Sequence, residues 1–199
     1  MRIKMKLEEI AQKARENHVP VMLDDTSCYL ANFCYEKKPK NILEIGTAVG
    51  YSGLVMLLGS GDDSMLTTIE INEKLFLKAK HNFQAYDIEP RTKQYLGDAA
   101  EILPWLDEKY DLIFLDGPKG QYLKYFPTLF KLLKVGGYLI ADNIYYHGMV
   151  KGDAYPPHKH RTIVTNLRAF NSALASDERL ECKFEEIGDG ILIAKKLCD

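Results

Sequence analysis

Asn41-Ile-Leu-Glu-Ile-Gly46-Thr-Ala-Val-Gly50-Tyr-Ser52 is a short apolar run, a glycine-bearing turn and the start of a helical pattern. Residues 41–46 read as a buried strand, and 51–58 as the helix that follows it. Working outward, 66–71, 92–96, 111–116 and 138–142 read as further strands. Helical spacing covers 73–86, 99–106 and 121–133. Pro127 must sit in a first turn of the last helix or kink it, and Val135-Gly136-Gly137 reads as its glycine stop. Strands alternating with helices predict a mainly parallel sheet with helices on both faces. The tail breaks the alternation: 180–187 and 191–195 are strand-like and flank Gly188-Asp189-Gly190, the signal of an antiparallel hairpin. That makes a seven-stranded α/β sheet. Residues 7–17 and 27–35 read as helices of a cap over 1–36, and no linker divides the chain, so one domain over 1–199 is expected.

Composition narrows the class. The chain has 199 residues, 46% hydrophobic and 27% charged, which is ordinary globular usage. Its longest clean apolar run, 54–58, is far short of the ~20 residues that cross a bilayer. Met1-Arg2-Ile3-Lys4 leads into a charged amphipathic stretch rather than a signal-peptide core, so a cytoplasmic protein without a membrane partner is expected. A net charge of −2 argues against bulk electrostatic binding of nucleic acid but leaves room for a local basic patch. Cys28, Cys34, Cys182 and Cys198 form no Cys-x-x-Cys pair and read as reduced thiols.

Ligands of such sheets bind at the carboxyl ends of the strands. Gly46 and Gly50 permit a tight turn and a helix starting close to the sheet. Their spacing is not Gly-x-Gly-x-x-Gly, which disfavours a pyrophosphate-bearing dinucleotide and leaves an NAD-type oxidoreductase as a lesser reading. Glu70, ending the second strand, is placed to accept two ribose hydroxyls, and Glu44 can face the same pocket. A nucleoside without phosphates suits this turn, and S-adenosylmethionine is the common one. The bland alternative is a structural turn with a chance acid downstream.

The fourth strand ends at Asp116 and the fifth at Asp142-Asn143, on the sheet edge that carries the glycine turn. Carboxylates and an amide carbonyl are hard ligands suited to Mg²⁺ or a similar ion. Lys119 lies three residues after Asp116, where it can act as a general base or orient a hydroxyl. Taken singly, Asp116 could cap a helix and Asp142-Asn143 form a turn; their joint occurrence argues otherwise.

In these residues the chain resembles the metal-dependent O-methyltransferases that include catechol and caffeoyl-CoA methyltransferases. The resemblance rests on Glu44 to Ser52, Glu70, Asp116 with Lys119, and Asp142-Asn143 followed by Gly148, and it runs from about Val19 to Lys196. It implies a Rossmann-like class I methyltransferase fold, S-adenosylmethionine as donor and one divalent cation. It implies Asp116, Asp142 and Asn143 as metal ligands, Lys119 as catalytic base and Asp116 beside it. Met22, Glu44, Gly46, Thr47, Gly50, Tyr51, Ser52, Glu70, Ile71, Gly97, Asp98, Ala99 and Asp116 would surround the donor. Glu70 would hold the ribose, and Asp98-Ala99 would lie near the adenine. Many bacterial relatives carry Asp-Ala-Asp-Lys where this chain has Asp116-Gly117-Pro118-Lys119. Relatives are usually homodimers, and Leu7, Ile10, Ala11 and Ala14 form a stripe that could pack in such an interface or on the domain itself.

A cation held by these ligands would chelate two adjacent acceptor oxygens, as a catechol or 5-hydroxyuridine presents. His18-Val19-Pro20-Val21-Met22, Lys119-Gly-Gln-Tyr122 and Gly188-Asp-Gly190 resemble the bacterial tRNA 5-hydroxyuridine methyltransferase branch. Lys151, His158, Lys159, His160, Arg161 and Arg168, opposed only by Asp153 and mixed with Tyr145, Tyr146 and Tyr155, could contact the tRNA anticodon region. The alternative is a solvated helix face opening near Pro156-Pro157. His147 is a candidate acceptor contact, residues 144–160 a candidate lid, and Asp189 a candidate for the family's substrate-binding acid. A small vicinal-diol phenol is the other acceptor reading. A non-catalytic S-adenosylmethionine-binding module is the reading of another class.

Overall fold

The computed structural model describes residues 2–152 and 155–199, with side chains from residue 7 onward. The chain divides into two compact units, Met1–Ile102 and Leu103–Asp199. Its seven strands belong to a mixed sheet.

The N-terminal unit carries α1 (Arg2–Glu16), α2 (Asp24–Lys37), β1 (Asn41–Ile45), α3 (Tyr51–Ser60), β2 (Met65–Glu70), α4 (Glu73–Ala85), β3 (Thr92–Leu96) and the short α5 (Ala99–Ile102). β1 and β2 run parallel with Asn41 opposite Met65, and β2 and β3 run parallel with Leu66 opposite Thr92. Ile42, Leu43, Ile45, Leu54, Met56 and Leu57 are wholly buried, which is why 41–46 and 51–58 carry unbroken apolar runs. Gly50 has φ +80, and a Cβ there would lie 2.9 Å from the Phe83 ring, so glycine both sets the turn and lets α3 approach α4. The helix expected over 99–106 stops at Ile102 and continues only as a 3₁₀ turn, Leu103–Trp105. Pro104 lacks the N–H that a continued helix needs.

The C-terminal unit carries β4 (Tyr110–Leu115), α6 (Tyr122–Leu132), β5 (Leu133–Ala141), α7 (Arg161–Ala175), β6 (Leu180–Glu185) and β7 (Ile191–Lys196). β4 and β5 are parallel, and β7 runs antiparallel to both β5 and β6, as the hairpin reading requires.

One expectation needs correction here, and two pairs of alternatives are narrowed. Gly136-Gly137 do not stop α6, because Leu133 is already extended at φ −75, ψ 131. The glycines lie inside β5, in a bulge: Tyr110 pairs with Leu133 but Leu112 with Tyr138. Gly137 sits against β4, where a Cβ would come 3.1 Å from the Asp111 carbonyl. Pro127 lies well inside α6 rather than in its first turn. The segment after Pro156-Pro157 is the full helix α7, and it is more than a solvated face, since Val164, Leu167, Phe170 and Leu174 are buried.

Candidate active site

In the N-terminal unit a chain of hydrogen bonds runs under the glycine turn. Glu44 is fully buried and accepts from the Ser52 hydroxyl on one oxygen and from Thr68 Oγ1, at 2.6 Å, on the other. Thr68 has one proton and gives it to Glu44, so Thr47 Oγ1, 2.5 Å away, donates to Thr68. Glu44 therefore braces the turn from beneath and does not face a pocket as an open carboxylate. Thr68 was not singled out by sequence; a threonine in a strand reads simply as a β-former.

Glu70 fixes the upper side of the same turn. Its Oε2 accepts from Ala48 N and its Oε1 from Asn72 N, both at 2.8 Å. A carboxylate has about four acceptor positions, so each oxygen keeps one for a further donor. Gly97 N donates to the Glu70 carbonyl at 2.9 Å, and Asp98 Oδ1 accepts from Ala100 N at 2.8 Å, which folds the start of α5 onto the end of β2. Tyr51 OH and Ser27 Oγ lie 3.0 Å apart. Met22 and Ala99 are buried, while Ile71 is 68% exposed. The structure thus gathers the predicted turn residues around Glu70 and the end of β2.

In the C-terminal unit the acids gather at the ends of β4 and β5. Asp142 N donates to the Leu115 carbonyl at 3.0 Å, so the residues preceding Asp116 and following Ala141 are stitched together. Tyr122, fully buried, donates its hydroxyl to Leu115 O at 3.0 Å and lies 3.3 Å from Asp142 O. Burial, then the charges of Asp116 and Asp142, hold its phenol far from ionisation. Lys119 Nζ sits 2.5 Å from Asp116 Oδ1. Asp142 Oδ1 accepts from Asn143 N at 2.7 Å. Burial, and after it the neighbouring Asp116 carboxylate, pushes the Asp142 carboxyl up to about 7.

The chain beyond Asp142 is unusual. Asn143, Tyr146 and His147 all have positive φ (55°, 45° and 55°). The hairpin turn holds them: Ile144 N donates to Gly190 O and Tyr145 N to Asp189 O, each at 3.0 Å. His147 N lies 2.8 Å from both Asp189 carboxylate oxygens. The Tyr145 ring crosses Gly190 so closely that a Cβ there would fall 2.1 Å from it. Asp189, the candidate for the substrate-binding acid, is thus engaged in main-chain support. Asn171 Nδ2 adds a bond to Ile144 O at 3.2 Å and Asn166 Nδ2 one to Gly120 O at 2.9 Å, so α7 braces both acidic loops.

Much of the basic segment is also engaged internally. Arg168 donates to the carbonyls of Met149, Val150 and Gly152 at 2.9–3.2 Å. Lys151 pairs with Glu186 at 2.6 Å, and the Tyr146 hydroxyl meets His160 Nδ1 at 3.1 Å. The Arg161 guanidinium stands 4.4 Å over the ring of Tyr155, which is 79% exposed. Asp153 lies outside the described residues.

The O-methyltransferase family model matches residues 3–197. The chain belongs to the O-methyltransferase family. A Mycobacterium avium (strain 104) protein assigned as an O-methyltransferase is 37% identical over 157 residues, covering 78% of this chain and 69% of its own. A Staphylococcus aureus structure assigned as a caffeoyl-CoA O-methyltransferase superposes with a TM-score of 0.88 at 34% identity, over 96% of this O-methyltransferase and 91% of that one. The Streptomyces achromogenes O-methyltransferase TomG, solved in complex with SAM, superposes with a TM-score of 0.86 at 26% identity, over 96% and 89% of the two chains. No helix among the described residues is long and apolar enough to cross a membrane. Among those residues no group of three or more His, Cys, Asp and Glu side chains could hold a metal ion. The site at the ends of β4 and β5 offers two carboxylates and one amide instead.

Proposed function

We propose that this O-methyltransferase takes its methyl group from S-adenosylmethionine and binds its acceptor through a divalent cation. The observation that carries the reading is the pairing of Asp116 and Asp142 at adjoining strand ends, with Asn143 and Lys119 beside them. Two carboxylates close enough to repel, one of them buried, make a hard-oxygen donor set that suits Mg²⁺ or a similar ion. Asp116, Asp142 and Asn143 would hold it. When bound, the cation supplies positive charge that favours the ionised form of an acceptor hydroxyl. Lys119, paired through Nζ with Asp116, would hold the oxygen toward the methyl group, or take its proton when present as the free amine; the oxygen takes the methyl group and the donor's sulfonium becomes a neutral thioether.

On the donor side, the acceptor positions left on Glu70 take the ribose hydroxyls, and the Gly97-Asp98-Ala99 turn takes the adenine. Glu44, Thr68 and Ser52 keep the turn in shape for both. Methyl transfer is an in-line displacement, so positioning supplies most of the rate. Intact Asp116, Lys119, Asp142 and Asn143 weigh against a silent donor-binding module. We place the protein in the cytoplasm, as a homodimer.

For the acceptor we propose 5-hydroxyuridine at the tRNA wobble position. Tyr155, exposed and stacked on Arg161, offers a base-stacking platform near Lys159 and His158, which supports this reading. A catechol-like phenol is the second reading. The internal engagement of Lys151 and Arg168, and the caffeoyl-CoA assignment of the Staphylococcus aureus relative, favour it. Transfer from labelled S-adenosylmethionine to tRNA containing 5-hydroxyuridine, run beside catechol, separates them. Faster labelling of the tRNA, lost in Tyr155→Ala, is the expected result; labelling of catechol alone would overturn the tRNA assignment.

A further inference from the structure

Lys196 is a lysine that the chemistry above does not use, and it is 1% exposed. Its ammonium has three protons. Two go to the carbonyls of Phe130 and Leu133 where α6 ends, each at 3.0 Å. The third goes to Asp199 Oδ1 at 2.6 Å, and that carboxylate is 84% exposed. A buried charge needs a counter-charge, and here it comes from a residue standing almost wholly in water.

These groups border a cavity of about 420 Å³ within the C-terminal unit. Phe126 and Phe130 form apolar walls, and Lys109, Lys131 and Arg179 join Lys196 around them. The Arg179 guanidinium lies 4.0 Å and the Lys196 ammonium 4.3 Å from the centroid of the Phe130 ring. Asp177 neutralises Arg179 through a 2.7 Å pair, and Asp199 answers Lys196. Lys109 donates to the Lys131 carbonyl, and the exposed Lys131 ammonium keeps the rim positive. The cavity is remote from the acidic loops: along the antiparallel pair Ala141 faces Leu192 and Tyr138 faces Lys195. Lys196 is thus at the other end of these strands from Asp142, roughly 15 Å away at ~3.3 Å per residue.

We propose that this cavity binds a small organic anion, a carboxylate or phosphate carried on an aromatic body, and that the Asp199 carboxylate is the chain's own stand-in for it. The ligand's oxygens take the third proton of Lys196 and face Lys131; its ring lies along Phe126 and Phe130. Asp199 then swings into solvent at little cost, being exposed already.

Calorimetric titration of the whole protein tests this with phenyl phosphate, benzoate and inorganic phosphate, which separate the two heads from the body. Asp199→Ala removes a tethered competitor and is expected to bind phenyl phosphate about tenfold tighter than the unaltered protein. Inorganic phosphate, lacking the ring, is expected to bind more weakly than phenyl phosphate to the same variant. Benzoate binding tighter than phenyl phosphate assigns the carboxylate head, and the reverse assigns the phosphate; either supports the site. Lys196→Met should abolish the binding. Because that change risks the fold, Lys131→Glu at the exposed rim serves beside it, and in the Asp199→Ala background should weaken phenyl phosphate about fivefold. Equal affinity with and without Asp199, or indifference to Lys131→Glu, would overturn the proposal and leave Lys196–Asp199 as a structural brace.

Discussion

The two acidic regions of this protein are built on opposite plans. Beneath the glycine turn, Glu44 is wholly buried and both its oxygens are answered by hydroxyls, Ser52 on one side and Thr68 on the other. At the ends of β4 and β5, Asp142 is buried beside another carboxylate, and its carboxyl is driven up to about 7. The first arrangement is complete in itself and fixes a shape. The second is held in electrostatic tension by strand ends, by Tyr122 and by a loop whose residues adopt positive φ. A carboxylate that shapes a turn is therefore told apart from the carboxylates proposed to do chemistry by whether its oxygens are already satisfied.

The comparison is broken most sharply at Asp142. Asp142→Ala should lower methyl transfer by about 10³-fold while leaving the thermal unfolding midpoint unchanged or raised, since a repelling buried charge is removed. A collapse of the midpoint instead would make Asp142 a structural acid like Glu44. Thr68→Val should do the reverse. It removes one donor from a fully buried carboxylate and should cost about 1–3 kcal/mol in urea unfolding, with activity per folded molecule falling little.

Asp189 sharpens the contrast, because it holds the loop after Asn143 through the His147 N–H. Asp189→Ala removes the acceptor of His147 N and should cost about 1 kcal/mol. Turnover should fall about tenfold with the KM for S-adenosylmethionine unchanged, as expected of a residue that positions the loop after Asn143. A rise in acceptor KM with unchanged turnover would make it a substrate contact instead.

Cys34 gives the smallest effect and a control. Burial pushes its thiol up to about 12 from an ordinary 9.0. At pH 8 only about 10⁻⁴ of it is thiolate, so a maleimide should label exposed Cys28 and Cys198 first. Between about pH 9 and 12 the unfolded chain loses this proton and the folded chain keeps it, so stability must fall as pH rises through that window. Rapid labelling of Cys34 in the native protein at pH 8 would contradict the burial of α2 against its unit.

What the sequence made legible follows the same divide. The strands could be read because buried parallel strands need unbroken apolar runs, as in 41–46 and 111–116. The place of Asp116 and Asp142 was legible because each directly follows an apolar run that reads as a strand. Gly136-Gly137 were misread because two glycines after a helix look the same whether they cap it or let the next strand bulge against Asp111. Arg168 read as a surface cation, since binding three carbonyls leaves no pattern in the sequence. Thr68 was invisible because its role depends on a carboxylate on the neighbouring strand.

The most direct test of the account is methyl transfer from labelled S-adenosylmethionine to tRNA containing 5-hydroxyuridine, with catechol beside it, measured in EDTA and again after titration with excess Mg²⁺, for the unaltered protein and for Asp142→Ala. The account predicts that EDTA abolishes transfer by the unaltered protein, that Mg²⁺ restores it, and that Mg²⁺ does not rescue Asp142→Ala. Full activity in EDTA, or an Asp142→Ala variant as active as its parent, would contradict it.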